Sequence, residues 1–292
     1  MTNEMSARDS RSIFRAYLAL AAGVLCIGFS AIFVKWAGVS GPISAFYRVL
    51  FAAIVVTPWR FFRQTGLPTG SDTLWILAGG AFFAFDLVLW NTSLLLTSAT
   101  TATLLANNAP LWVGIASIFF FREHLPARYW LGLVIALCGM TFLVGSTVWQ
   151  QLRFNTGDLL ALGASFAYAM YLLTTQRVRV RVDTLTFMTI SVVSSTLLLF
   201  AFNLILGMRL TGYSTKTWVA LIGMGLISHL GGWLAINYAL GHIRAAPASV
   251  GLLSQAVVTA LLAIPLLGEF LTIYQIAGGT LVLGGIYFAN HR

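Results

Sequence analysis

Residues 123–139 read EHLPARYWLGLVIALCG, and residues 269–285 read EFLTIYQIAGGTLVLGG. Glu123, Leu125, Gly132 and Gly139 form the pattern E-x-L-x6-G-x6-G, and Glu269, Leu271, Gly278 and Gly285 repeat it. The offset is 269 − 123 = 146, half of the 292 residues, and needs no gap. At that offset Asn91 meets Asn237, Leu94 meets Leu240, Ala99 meets Ala245 and Ala102 meets Ala248. The spaced motif carries the repeat; scattered matches of Leu, Ala and Gly carry little in a chain so rich in them.

What surrounds the motif sets the fold class. The chain is 59% hydrophobic and 9% charged, where soluble domains run near 45–50% apolar and about 25% charged. A hydrocarbon core of about 30 Å takes about 20 apolar residues as a helix. Apolar runs cover 16–36, 42–61, 73–95, 99–121, 127–147, 157–176, 184–207, 217–240, 246–268 and 271–289. All are too long for barrel strands, so the backbone must be satisfied within helices. The predicted fold is an all-α integral membrane protein of ten transmembrane helices. A tail, 1–15, leads into a five-helix repeat over 16–147, and a second covers 157–289. Five is odd, so the second repeat is inverted, and the pair surrounds a central cavity. Pro110 and Pro265 lie inside runs and should kink them.

The net charge of +9 is explained by its distribution. With the N-terminus inside, the inner segments hold Arg8, Arg11, Arg15, Arg60, Arg63, Arg122, Arg128, Arg177, Arg179, Arg181, Arg244 and Arg292, which is 12 of the 17 basic residues. The outer segments hold Lys35, Arg153, Arg209 and Lys216, and Arg48 stays inside a run. This bias sets both termini in the cytoplasm, for a multi-pass protein of the inner (plasma) membrane. Nucleic acid is excluded as a partner, because the arginines are spread over short segments and make no continuous face. Cys26 and Cys138 fall in apolar runs without metal-ligand spacing, so neither a disulfide nor a metal is expected. No G-x-x-x-x-G-K-[ST] occurs, so ATP is not the energy source within this chain, and no cofactor is expected. The partners are the lipid bilayer and a small-molecule solute. Ten helices suffice to enclose a cavity, so a monomer is enough.

Ionisable groups inside a bilayer are expensive and are functional candidates. Arg48 lies about seven residues below the outer end of the second run, and Asp86 a similar distance below that of the third. They fall at one level, as a structural ion pair or as groups that meet a charged solute. Asp86 has Gly232 as its counterpart in the second repeat. Positions i, i+4 and i+8 share a helix face. Phe82, Asp86 and Trp90 therefore form one stripe, and His229, Trp233 and Asn237 another. The fourth run carries Asn107 and Asn108 before Pro110, with Trp112 a turn after Asn108. The ninth carries Ser254 and Gln255 at the corresponding place, and the sixth adds Tyr168 and Tyr171. Each of these taken singly fits an interhelical hydrogen bond. Taken together they fit a cavity lined by aromatics, a few amides and one imidazole. The substrate-binding set expected from sequence is Arg48, Asp86, Trp90, Asn107, Asn108, Tyr168, Tyr171, His229, Trp233, Ser254 and Gln255, and no catalytic residue is expected. Glycines such as Gly79, Gly80, Gly223, Gly225, Gly231 and Gly232 read as close helix contacts.

A ten-helix chain whose halves each end in E-x-L-x6-G-x6-G resembles the drug/metabolite transporter superfamily in its EamA-type branch. Arg48 and Pro110 look like that branch too, whereas Ala256 stands where Pro110 would repeat. Within the superfamily the chain looks most like the bacterial YddG-type aromatic amino-acid exporters. The resemblance implies a ten-helix basket around a central cavity lined from the third, fourth, sixth, eighth and ninth helices. The implied activity is efflux of aromatic and other apolar amino acids.

The leading functional class is thus a secondary transporter working by alternating access, as inverted repeats usually do. The other cargoes open to it are nucleosides and organic cations. A second class is an intramembrane serine hydrolase using Ser165 and His229, although a nucleophile needs its base within hydrogen-bond reach. A third is a receptor or assembly subunit, for which the loops are small.

Overall fold

In a bilayer no water satisfies a free peptide group, so each span must close its own hydrogen bonds and cap its ends. The computed structural model describes residues 2–63, 66, 68–97, 99–144, 155–268 and 270–291, and helix is the only regular structure among them. The helices are α1 (Thr2–Gly28), α2 (Ser30–Ala37), α3 (Gly41–Arg63), α4 (Gly70–Leu96), α5 (Ala99–Ala106), α6 (Ala109–Phe121) and α7 (Ala127–Val144), then α8 (Thr156–Arg179), α9 (Thr184–Ile205), α10 (Thr215–Gly223), α11 (Gly232–Leu240), α12 (Ala245–Leu252), α13 (Ser254–Leu267) and α14 (Ile273–Asn290). A π-helical stretch, Met224–Gly231, joins α10 to α11. Thr69 Oγ1 accepts the Asp72 N–H at 3.2 Å to start α4, and Asn155 with Asp158 and Thr272 with Gln275 form reciprocal capping boxes on α8 and α14.

Eight segments are long and apolar enough to cross a membrane: Ser12–Ala37, Gly41–Arg63, Gly70–Ser93, Thr101–Phe121, Thr156–Arg179, Thr184–Ile205, Thr215–Leu240 and Ala245–Leu267. The sequence predicts ten. The other two expected runs are α7 and α14, of 18 residues each. That is about 27 Å at 1.5 Å per residue, somewhat short of a hydrocarbon core of about 30 Å. α1 runs continuously from Thr2 through the predicted tail 1–15 into the first apolar run.

The kink predicted at Pro110 is a full break. The helix stops at Ala106, and Pro110 sits in the first turn of α6, where a missing N–H costs nothing. The asparagine amides bond the carbonyls of the last turn of α5. Asn107 Nδ2 donates to Thr103 O at 2.8 Å, and Asn108 Nδ2 to Leu104 O and Leu105 O at 3.1 Å. The ninth run breaks at Leu253, which is 107 + 146, without a proline; there Ser254 Oγ donates to Gly251 O at 2.6 Å.

The motif glycines meet each other. A Cβ on Gly132 would lie 2.6 Å from Gly285 O, and one on Gly139 would lie 2.7 Å from Gly278 O. In return, one on Gly285 would lie 2.5 Å from Ala136 N, and one on Gly278 would lie 2.5 Å from Leu143 N. Low numbers pair with high, so α7 and α14 are antiparallel. Seven residues is two turns, which puts both glycines of each helix on one face. The repeated motif is thus a contact between its own two copies, with the close backbone approach that small residues allow. Arg122 (φ 52) and Gly268 (φ 69) end α6 and α13 in the left-handed region, each just before a motif glutamate. Gln176 Nε2 donates to Glu123 Oε1 at 3.2 Å, Arg244 Nε lies 3.9 Å from the same oxygen, and the Ala245 N–H donates to Gln176. Glu123 so ties the α6–α7 turn to α8 and α12. Glu269 lies outside the described residues.

The other main packings are α4 on α8, α3 on α9, and α1 on α11. The end of the molecule rich in arginine is tied by the Arg181–Asp72 ion pair, by Arg177 over the Trp75 ring at 4.5 Å, and by Arg60 donating to Thr186. The opposite end is tied by Thr97 donating to Asp158 at 2.7 Å, Asn203 to Pro42 O at 3.0 Å, and Tyr47 to Leu210 O.

Candidate functional site

Four segments deliver side chains to one interior cluster: α3 (Arg48), α4 (Phe83, Asp86), α8 (Tyr168, Tyr171), and the π-helical stretch with α11 (His229, Trp233, Asn237). Phe83 is the hub, with ring centroids 4.9 Å from Tyr171, 5.4 Å from His229 and 4.9 Å from Trp233. Tyr168 and Tyr171 meet Trp233 edge-on at 5.8 and 5.1 Å. Such edge-to-face pairs fix ring directions and add about 0.5–1.5 kcal/mol each beyond area burial. The α11 side is anchored by hydrogen bonds: Tyr171 OH donates to Asn237 Oδ1 at 3.0 Å, and Asn237 Nδ2 to Met188 Sδ at 3.4 Å.

The charges are held differently. Arg48 lies within electrostatic range of Asp86, Tyr168 and His229. The direct ion pair expected from sequence is not formed: among the described residues the ion pairs are Arg181–Asp72 and Arg244–Glu123. The expectation assumed that the second and third runs are neighbours. The two helices do touch, but α3 packs chiefly on α9 and the π-helical stretch and α4 on α8 and α9, and the two charges stay within electrostatic range without forming an ion pair. Arg48, Asp86 and Tyr168 remain partly accessible there, while His229 and Trp233 are only 2% and 3% exposed. Arg48 Nε, His229 Nδ1 and Trp233 Nε1 have no hydrogen-bond partner among the described residues.

Of the residues expected from sequence, the structure brings Arg48, Asp86, Tyr168, Tyr171, His229 and Trp233 together. Trp90 lies one turn beyond Asp86 on α4 without a ring contact. Asn107 and Asn108 spend their amides on the α5 break, and Ser254 spends its hydroxyl on Gly251. Gln255 opens α13, which packs mainly on α1. Phe83 was not among the expected residues; it stands one position from the Phe82–Asp86–Trp90 stripe. Ser165 donates to Leu162 O at 2.7 Å and accepts from Trp112 Nε1 at 2.8 Å, so its hydroxyl is engaged away from His229. A groove of about 250 Å³ lined by Tyr17, Leu20, Pro247, Gly251, Ile286 and Tyr287 shares no residue with the cluster.

A bundle of apolar helices whose interior gathers rings around unpaired opposite charges is the build of a membrane protein that handles a solute. The sequence matches the EamA-like transporter family over residues 14–145 and 155–291, and the chain belongs to that family: it is a membrane transporter. It is 25% identical to the "Uncharacterized transporter YdfC" of Bacillus subtilis (strain 168), across 84% of this chain and 80% of that one. It is 30% identical to an "S-adenosylmethionine uptake transporter" of Rickettsia felis, over 43% of this chain and 42% of the other. A known crystal structure shares the fold at TM-score 0.80 and 18% identity, covering 94% of this chain and 96% of that one.

Proposed function

We propose that the protein is a secondary transporter that moves aromatic and other large apolar amino acids outward across the inner membrane by alternating access. One observation carries the reading: an interior lined by the rings of Phe83, Tyr168, Tyr171 and Trp233 lies beside one cation and one anion that do not pair. Rings suit an apolar side chain, and the two charges suit an amino-acid head. A sugar phosphate would want several converging cations, and Arg48 is the cation at this cluster.

The rocking units in this reading are two inverted five-helix halves, ten spans in all, with both termini in the cytoplasm. It is supported by the antiparallel glycine contact of α7 with α14. It is supported also by packings that recur at the 146-residue offset: α1 lies on α11, and the equivalents of those two, α8 and α4, lie on each other. A second cargo, S-adenosylmethionine, is favoured by the Rickettsia relative's name; it too joins an amino-acid head to a ring system.

The test is uptake by liposomes holding the purified protein, with amino acids, S-adenosylmethionine, nucleosides and organic cations as cargo, with and without a pH gradient. Saturable movement of Phe, Trp, Tyr or Met is expected. Movement of nucleosides or organic cations with no competition from any amino acid would refute the cargo while leaving the transporter class intact.

A further inference from the structure

Eight buried side-chain polar atoms lack a hydrogen-bond partner among the described residues, and four of them belong to Arg48, Ser228, His229 and Trp233. The other four are scattered over Ser117, Glu123, Asn203 and Asn290. Buried polar groups are nearly always paired, so an orphan invites an explanation, and several on adjoining segments, α3 and the π-helical stretch with α11, invite a common one. Two of the orphans can only donate: Arg48 Nε–H, part of a fixed cation, and Trp233 Nε1–H. Donors of this kind ask for an acceptor with negative charge, and a carboxylate meets a guanidinium well.

On α4 the chemistry reverses. The Asp86 carboxylate accepts from no residue among those described, and its neighbours by charge are Arg48 and Tyr168. If the fold needed only charge compensation, a direct Arg48–Asp86 contact would provide it. Holding the two within electrostatic range but out of contact leaves each with an unmet preference. A solute with opposite charges one carbon apart meets both.

We propose that this interior reads the two ends of a zwitterion separately: Arg48 and the Trp233 N–H take the carboxylate, and Asp86 takes the ammonium group. The proposal rests on the reading of this cluster as the cargo site and adds the polarity of binding, with the solute head between α3 and α4 and its side chain on the Phe83 and Tyr168 rings. The Tyr168 hydroxyl lies within electrostatic range of both charges.

The test uses the full-length protein in detergent and three ligands that share one ring: phenylalanine, phenethylamine, which lacks the carboxylate, and 3-phenylpropionate, which lacks the amine. For the wild type, phenylalanine is expected to bind at least tenfold tighter than either truncated ligand. Arg48→Gln should bring phenylalanine down to the level of phenethylamine while leaving phenethylamine within twofold. Asp86→Asn should do the same with 3-phenylpropionate as the reference. Trp233→Phe keeps a ring and removes only the N–H, so it covers the case in which a charge variant fails to fold. It should weaken phenylalanine and phenylpropionate several-fold and spare phenethylamine. Equal loss of all three ligands in the folded variants, or a truncated ligand matching phenylalanine in the wild type, would overturn the polarity while leaving the cargo site standing. If none of the three binds and nucleosides or organic cations do, the cargo reading itself has failed and the polarity with it.

Discussion

Tyr168 and Tyr171 stand three residues apart on α8, and the same substitution should have opposite consequences at the two. Tyr171 is buried, and its hydroxyl satisfies Asn237 Oδ1. Tyr171→Phe strands that acceptor, which should cost about 1–3 kcal/mol and lower the thermal unfolding midpoint in detergent. The Tyr168 hydroxyl is partly accessible and donates to nothing described. Tyr168→Phe should leave stability within about 0.5 kcal/mol and change the liposome uptake of bulky cargo. Equal stability losses would mean that Tyr168 also holds the bundle. Arg122 offers a third single-residue test. It ends α6 at φ 52, where its repeat partner is Gly268 at φ 69. A left-handed residue with a side chain costs about 1–2 kcal/mol, so Arg122→Gly should raise the unfolding midpoint or leave it unchanged, and a clear fall would show that the arginine side chain itself matters. At this scale the sequence was informative wherever burial is costly. Arg48, Asp86 and His229 stand out because polar groups are rare in apolar runs. Phe83 could not stand out, as one of 21 phenylalanines whose role depends on which helix packs opposite.

Helices expose the next layer, where spacing and packing decide. A Cβ on Gly139 would press on backbone atoms of α14, namely Val282 N at 2.6 Å and Gly278 O at 2.7 Å. Backbone cannot rotate away, so Gly139→Ala must part the two helices and should cost about 1–3 kcal/mol, as overpacking does. Gly284, on the same helix α14, has nothing within 4 Å of its would-be Cβ, so Gly284→Ala should be neutral or gain up to about 1 kcal/mol of helix propensity. Thermal unfolding of the two variants side by side checks this, and similar shifts would show that glycine spacing is not what joins α7 to α14. The glycine contact was legible because a doubled x6 spacing keeps one face through two turns. The break at Asn107–Asn108 was half legible: Pro110 marked the place, but that the asparagine amides bond carbonyls of the helix they interrupt could not be read from spacing alone. The π-helical stretch Met224–Gly231 had no local signal, since no residue preference in the run distinguishes i→i+5 from i→i+4 bonding. Such stretches are frequent at functional sites, and this one carries His229 into the aromatic cluster.

The whole molecule poses the question of which way it sits. Its arginines gather at one end, where Arg181 pairs with Asp72 and Arg177 covers Trp75, while the opposite end is tied by neutral groups such as Asn203 and Tyr47. The excess of Lys and Arg in short loops marks the cytoplasmic side. The turn after α8 should then be inside, and the loop after α9 outside. Val180 and Thr211 are exposed positions on either side of α9, whose 22 residues suffice to cross a bilayer. In a background with Cys26→Ala and Cys138→Ser, a membrane-impermeant maleimide should label Thr211→Cys on intact cells and Val180→Cys only after permeabilisation. The reverse pattern would turn the molecule over and exchange the faces from which cargo enters and leaves. Labelling of both from one side would mean that α9 does not cross at all, and the inverted arrangement of the halves would fall with it.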